Sequence, residues 1–279
     1  MLTPAQRHFQ KVMAERRGQV SEASDIQRTA HEQILHRLRL DQARLKGVQS
    51  DATKAEMKRS MLPEYAGWIE GTLESDSGRQ DEVISTLMVW AIDCQDYPLA
   101  LSIGGYVVRH GLSLPDNFNR DAATFFVEEL SNPILTLAAT DVDADLSGYT
   151  DMLDSVAGIT ADSDMPDVVR AKLCKARGLS RRGFSDIDSK AEALKLFREA
   201  MARNPNAGVK KEIATLTREL KKVTLNNAID GESTAASNGA TGEEPPVSTA
   251  PDKKTPARKS VPKTSAKKAP RKPASRNKN

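Results

Sequence analysis

The sequence predicts an all-α protein: stacked helical hairpins, tetratricopeptide-like in part, preceded by a long N-terminal helix and followed by a disordered basic C-terminal tail. Three observations carry this reading. Apolar residues recur at helical spacing in two stretches, each interrupted once by a polar turn. Aromatic residues make up only 4% of the 279 residues while charged residues reach 28%, too little apolar material to fill the whole chain. The last fifty residues show no apolar periodicity.

Residues 1–62 form a basic helical region with 12 Lys or Arg against 7 acids, a candidate for DNA binding and oligomerisation. A short helix carries Arg7, Lys11, Arg16 and Arg17, the candidate DNA-reading cations. From Ser24 a longer helical pattern places Ile34, Leu38, Asp41, Leu45, Val48, Ala52 and Ala55 on a heptad seam with one polar defect and two weak alanines. Gly47 lowers the helix propensity within it. Ile34, Leu38, Leu45 and Val48 are the candidate oligomerisation contacts. Self-association of this seam and packing against the chain's own body both satisfy the pattern. Arg28, Arg37, Arg39, Arg44 and Lys46 lie off the seam, on a solvated basic face able to lie along phosphates.

Leu62 to Tyr65, with Pro63, breaks this helix and opens a helical body over residues 63–226. Residues 65–73 (YAGWIEGTL) enter it, and Gly78 separates them from the central hairpin at residues 81–115. There Val83, Ile84, Leu87, Met88 and Ala91 form one stripe. Asp93, Gln95 and Asp96 make the break, and Leu99, Ile103, Tyr106 and Val107 form the second stripe. Pro98 sits in a first turn, where proline is tolerated, and Gly111 with Pro115 marks the stop. The spacing predicts Leu87, Trp90, Leu99, Ile103 and Tyr106 in the core. Phe118, Ala122, Phe125, Phe126 and Leu130 then predict a helix capped by Asp116 or Asn117 and ending before Pro133. A further hairpin is expected from Ala191, Leu194, Phe197, Ala200 and Met201, the break at Asn204 to Asn206, and Val209, Ile213, Leu216, Leu220 and Val223.

Residues 227–279 are expected to be a disordered linker and tail, rich in Gly, Ser, Thr, Ala and Pro. The tail carries 11 cations and no acid: Lys253, Lys254, Arg258, Lys259, Lys263, Lys267, Lys268, Arg271, Lys272, Arg276 and Lys278. Without them the remaining 30 Lys and Arg face 38 Asp and Glu, a net −8 beneath an overall +3. Such segregation implies a polyanionic partner that meets the ends of the chain.

Several chemistries find no support. Cys94 and Cys174, the two cysteines, sit inside helical patterns and are expected to be small buried residues in a reducing compartment. His8, His31, His36 and His110 have no metal-ligand spacing. Between Asp121 and Val169 there are 11 acids and no Lys or Arg. Within that segment the run from Asp141 to Asp145 imitates a calcium loop. It places Leu146 where the loop needs glycine and Met152 where it needs a bidentate glutamate. A solvated acidic loop is expected, with no metal and no cofactor on this chain. No P-loop and no nuclease carboxylate–lysine motif occurs. The N-terminus lacks the apolar core of a secretory signal, and no apolar run is long enough for a membrane span.

Several ordered blocks carry a family resemblance. WAIDCQDYPLALSIGGYVVRHGLSLPDNFNR (residues 90–120) and FFVEEL (125–130) follow KAEMKRSMLPEYAGWIEG (54–71) and precede DMPDVVRAKLCKARGL (164–179) and NAGVKKEIATLTREL (206–220). Together they look like the small terminase subunit, also described as the terminase endonuclease subunit, of peduovirus-like temperate tailed phages. The basic tail departs from that pattern. The resemblance implies binding of the cohesive-end packaging site on double-stranded phage DNA, self-association, and delivery of that site to the large terminase subunit. It also implies residence in the cytoplasm of the bacterial host. Cutting is then expected from the complex, with magnesium and ATP used only through the large subunit.

Overall fold

The computed structural model describes residues 2–19, 25–115 and 120–233. The chain runs α1 (Pro4–Gln19), α2 (Asp25–Lys46), α3 (Asp51–Met61), a 3₁₀ turn (Leu62–Tyr65), α4 (Ala66–Ser75), α5 (Glu82–Asp93) and α6 (Tyr97–Arg109). It continues through α7 (Ala122–Thr140), α8 (Thr150–Ile159), α9 (Asp167–Arg181), α10 (Ile187–Arg203) and α11 (Lys210–Ser233). No strand occurs among the described residues, so the all-α class holds.

Aspartates write four of the helix starts, those of α5, α6, α7 and α10. An N-cap side chain accepts from amides of the first turn that have no partner within the helix. Asp81 accepts from the Val83 amide at 2.9 Å, Asp121 from Thr124 at 2.8 Å and Asp186 from Ser189 at 2.7 Å. Asp96 does the same for α6, accepting from Leu99 at 3.2 Å. The turn ahead of it is tight enough to hold Gln95 in the left-handed region at φ 58°.

The central hairpin forms as the spacing predicts. Leu87 and Ile103 have no exposed surface, Trp90 and Tyr106 are buried, and Leu99 is half-buried at the margin. Around α5 and α6 one continuous apolar core takes in side chains from α2, α4, α7, α8, α9 and α10. Both cysteines are buried free thiols. Burial pushes the Cys174 thiol up to about 11, and Cys94 Sγ is held 3.2 Å from the Ala55 carbonyl oxygen. No helix among the described residues is long and apolar enough to cross a membrane.

Two elements depart from the periodicity. The cap of α7 is Asp121, and the helix runs through Pro133 to Thr140. A proline inside a helix removes one backbone bond, to the carbonyl four residues earlier. Leu130 and Ile134, each 2% exposed, keep the helix on the core across that gap. Phe118, Asp116 and Asn117 lie outside the described residues. Further on, the main partner of α10 is α9 rather than α11. Helix α9 buries nine of its 15 residues, but Ala171, Ala176 and Gly178 are small and Ser180 and Arg181 polar, so its apolar stripe is thin in the sequence.

Ile103→Ala should cost about 2–5 kcal/mol of unfolding free energy, because a fully buried side chain leaves a cavity. Chemical denaturation measures it, and a near-neutral result would remove the α5–α6 pair from the centre of the core.

Candidate nucleic-acid interface

The N-terminal cations are placed by a close helix contact. Gly67 and Gly71 sit one turn apart on α4, and a Cβ at either would collide with the carbonyl oxygen of Arg7 or Lys11 on α1. Backbone therefore meets backbone along this seam, and the α1 side chains emerge beside the acids of α4. Arg7 Nη2 lies 2.5 Å from Glu70 Oε1, and Lys11 Nζ lies 2.6 Å from Glu74 Oε1. The hydrogen bond to Glu74 holds the Lys11 pKa above its ordinary value. These are largely exposed pairs, individually weak and screened by salt. Arg16 is exposed. The side chain of Arg17 and the tail cations from Lys253 to Lys278 lie outside the described residues.

The expected seam is divided between two helices. Helix α2 stops at Lys46, Val48 lies half-buried in the turn, and Ser50 caps α3 by accepting from Thr53 at 3.3 Å. Ile34, Leu38 and Leu45 are buried in the chain's own core, Leu38 completely. The polar defect of the seam has a partner 24 residues away. Asp41, 4% exposed, accepts from the Tyr65 hydroxyl at 2.7 Å and lies 3.1 Å from Arg44 Nη1. Arg37 stacks 5.6 Å from the centroid of the Tyr65 ring and reaches Glu64 at 3.1 Å. Burial of the Tyr65 ring, reinforced by the hydrogen bond to Asp41, pushes its hydroxyl pKa well up.

On the outer side of α2, His36, Arg39, Ala43 and Lys46 recur at steps of three and four and are all exposed. Arg39 and Lys46 have no ion-pair partner among the described residues. Exposed Leu40 flanks this stripe. Of the basic face read from the sequence, Arg39 and Lys46 stay open while Arg37 and Arg44 turn to acids of their own chain.

Seven of the eleven acids in the acidic segment are committed to caps, turns or ion pairs of this chain. Asp141 and Asp145 accept from the amides two residues on, at 3.0 and 2.9 Å, which makes two successive tight turns. The Ser147 amide holds the Asp145 carboxyl below its ordinary range. Glu128 takes both Lys172, at 2.7 Å, and Arg120; Asp154 takes Arg177, at 2.8 Å, and Arg181. Among the described residues no three His, Cys, Asp or Glu side chains converge on a point that would hold a metal ion.

Carboxylates bound up in turns and ion pairs, with unpaired cations left on open helix faces, give this all-helical chain a surface with open positive charge. Comparisons with known proteins supply its family. The family model for the phage small terminase subunit matches residues 35–168. The terminase endonuclease subunit of Escherichia phage P2 is 38% identical over 221 residues, which cover 79% of this chain and 87% of that relative. The chain belongs to the phage small terminase subunit family, and its role lies in phage DNA packaging. No solved structure matches it.

Leu38→Asp should lower the melting temperature of the chain itself, since a carboxylate would replace a fully buried side chain. Thermal unfolding with light scattering tests this. Unchanged stability with a smaller mass would instead give the seam an intermolecular role.

Proposed function

We propose that this chain binds the cohesive-end packaging site of phage double-stranded DNA and directs the large terminase subunit to it, so that the complex cuts the DNA and loads the capsid. The observation that supports this best is the family membership joined to a charge distribution in the sequence with cations concentrated in the end segments and an acidic middle. Dense phosphate charge is attracted to the first and repelled by the second. Cutting belongs to the complex. On this chain Glu128, Asp141, Asp145 and Asp154 are tied into turns and ion pairs, and magnesium and ATP act through the large subunit.

Two kinds of contact divide the work. Cations on the tail at Lys253–Asn279 reach phosphates as point charges and add affinity without choosing sequence. Site choice belongs to the N-terminal region. Its open stripe on α2 carries Arg39 and Lys46, residue types that bond the O6 and N7 edge of guanine in the major groove. Ala43 between them is of the type that packs on a thymine methyl. Arg16 and Arg17 lie in the same region. Several copies acting together would bridge or encircle the duplex, and because the Leu38 seam is already filled, that assembly uses other surfaces.

Replacing Arg39 and Lys46 together by Ala should reduce the preference for packaging-site over random duplex by at least about tenfold, each good base contact being worth about 1–3 kcal/mol of discrimination. Competition binding at fixed salt reads this ratio. If total affinity falls but the ratio holds, this stripe contacts phosphates only and site choice lies elsewhere.

A further inference from the structure

Over its first thirteen residues, Lys210 to Lys222, helix α11 has one apolar face and one cationic face. Val209 and Leu216 are buried, and Ile213, Leu220 and Val223 are half-buried with them against the body. Its acids lie on that side too: Glu219 is half-buried and reaches Lys190 at 3.0 Å, and Glu212 is half-buried. At 100° per residue, Lys210, Lys211, Ala214, Arg218, Lys221 and Lys222 occupy a single arc of about 120° on the opposite side. All six are exposed, and the five cations have no ion-pair partner among the described residues. Lys211 lies at the margin, beside a cleft it shares with Asp143 and Asp145; the other four cations are clear of it.

This arc is unusual for the molecule that carries it. Apart from the tail the chain is net −8, and Arg37, Arg44, Lys58, Arg109, Arg120, Lys172 and Arg177 all turn to carboxylates of their own chain. On α11 the cations are kept apart from acids by helix register alone. A protein-binding face would carry apolar or aromatic anchors at its centre. The centre of this stretch is Ala214, bordered by Lys210, Lys211 and Arg218 with Thr215 and Thr217 at its flanks, and it carries no large apolar or aromatic side chain. From Lys210 to Lys222 the face is about 18 Å long, at 1.5 Å per residue. That length of duplex presents roughly ten phosphates.

We infer that the outer face of α11 is a second DNA-contact surface, which grips the phosphate backbone of duplex DNA without reading bases. It lies beyond the 35–168 span of the family model and is distinct in sequence from both α2 and the tail. The inference rests on the DNA-binding role proposed above. Four of the five cations are lysines, compact point charges suited to phosphate, and phosphate contacts fix position on a duplex but carry no sequence information.

The test uses the full chain carrying Lys210→Gln, Arg218→Gln, Lys221→Gln and Lys222→Gln. All four sites are exposed and glutamine is a good helix former, so the fold should persist. Binding is measured against salt on packaging-site and random duplexes. Removing one phosphate contact flattens the log–log slope by about 0.9, so the slope should become shallower by about 3 to 4, equally on both duplexes. A second variant, Ala214→Glu, leaves every cation in place and should weaken both duplexes in the same proportion by setting a carboxylate amid the arc. An unchanged slope in the first variant with unchanged affinity in the second would overturn the inference. So would weakening on packaging-site DNA alone, which would make the face a base reader, or an unchanged slope with the large subunit no longer retained, which would assign it to a protein. The packaging reading itself is judged by a separate number, the preference of the unsubstituted chain for its packaging site.

Discussion

One buried carboxylate ties the N-terminal helices to the body. Asp81 is 3% exposed and caps α5 through the Val83 amide. It accepts from the Trp68 indole of α4 at 3.0 Å, and its other oxygen lies 3.6 Å from His31 Nε2 on α2. The His31 ring stacks on Trp68, 5.8 Å between centroids. A carboxylate out of water is costly unless its oxygens are met by donors, so a single arrangement of α2, α4 and α5 satisfies it. Once α4 is fixed, Gly67 and Gly71 admit α1 at backbone distance. The open stripe of α2 then faces solvent because the other side of that helix is held at Asp81 and Asp41.

The surface follows from this packing. Where a cation lies beside an acid of a neighbouring helix it pairs, as Arg7 and Lys11 do with Glu70 and Glu74. Where it lies on the outer side of a helix with no acid beside it, it stays free, as Arg39 and Lys46 do on α2 and the cations between Lys210 and Lys222 do on α11. Phosphate binding needs the second kind, since a paired cation must first give up its partner. The acidic turns between α7 and α8 have the opposite property and keep a polyanion away from the middle of the molecule.

Much of this is legible in the sequence where one helix decides its own pattern. The α5–α6 pair can be read from apolar spacing because both helices bury a broad stripe. Asp41 reads as a flaw in a seam, since its partner Tyr65 is distant in sequence and only the tertiary contact brings them together. Pro133 reads as a stop, because burial of Leu130 and Ile134 around it has no local signature. The cationic arc of α11 is written at steps of four, four and three from Lys210, and a reading attentive only to apolar periodicity passes over it. The division of Arg37 and Arg44 from Arg39 and Lys46 depends on where Asp41 and Glu64 end up, which spacing on α2 does not tell.

The central claim is that this chain finds the DNA and its large-subunit partner cuts it. The most direct measurement is cleavage of cohesive-end duplex in the presence of magnesium by the purified chain, by the large subunit with ATP, and by the two together. The account predicts intact duplex with this chain alone and staggered cuts at the packaging site when both are present. Staggered cuts made by this chain alone would contradict it, and would place catalytic carboxylates on this chain.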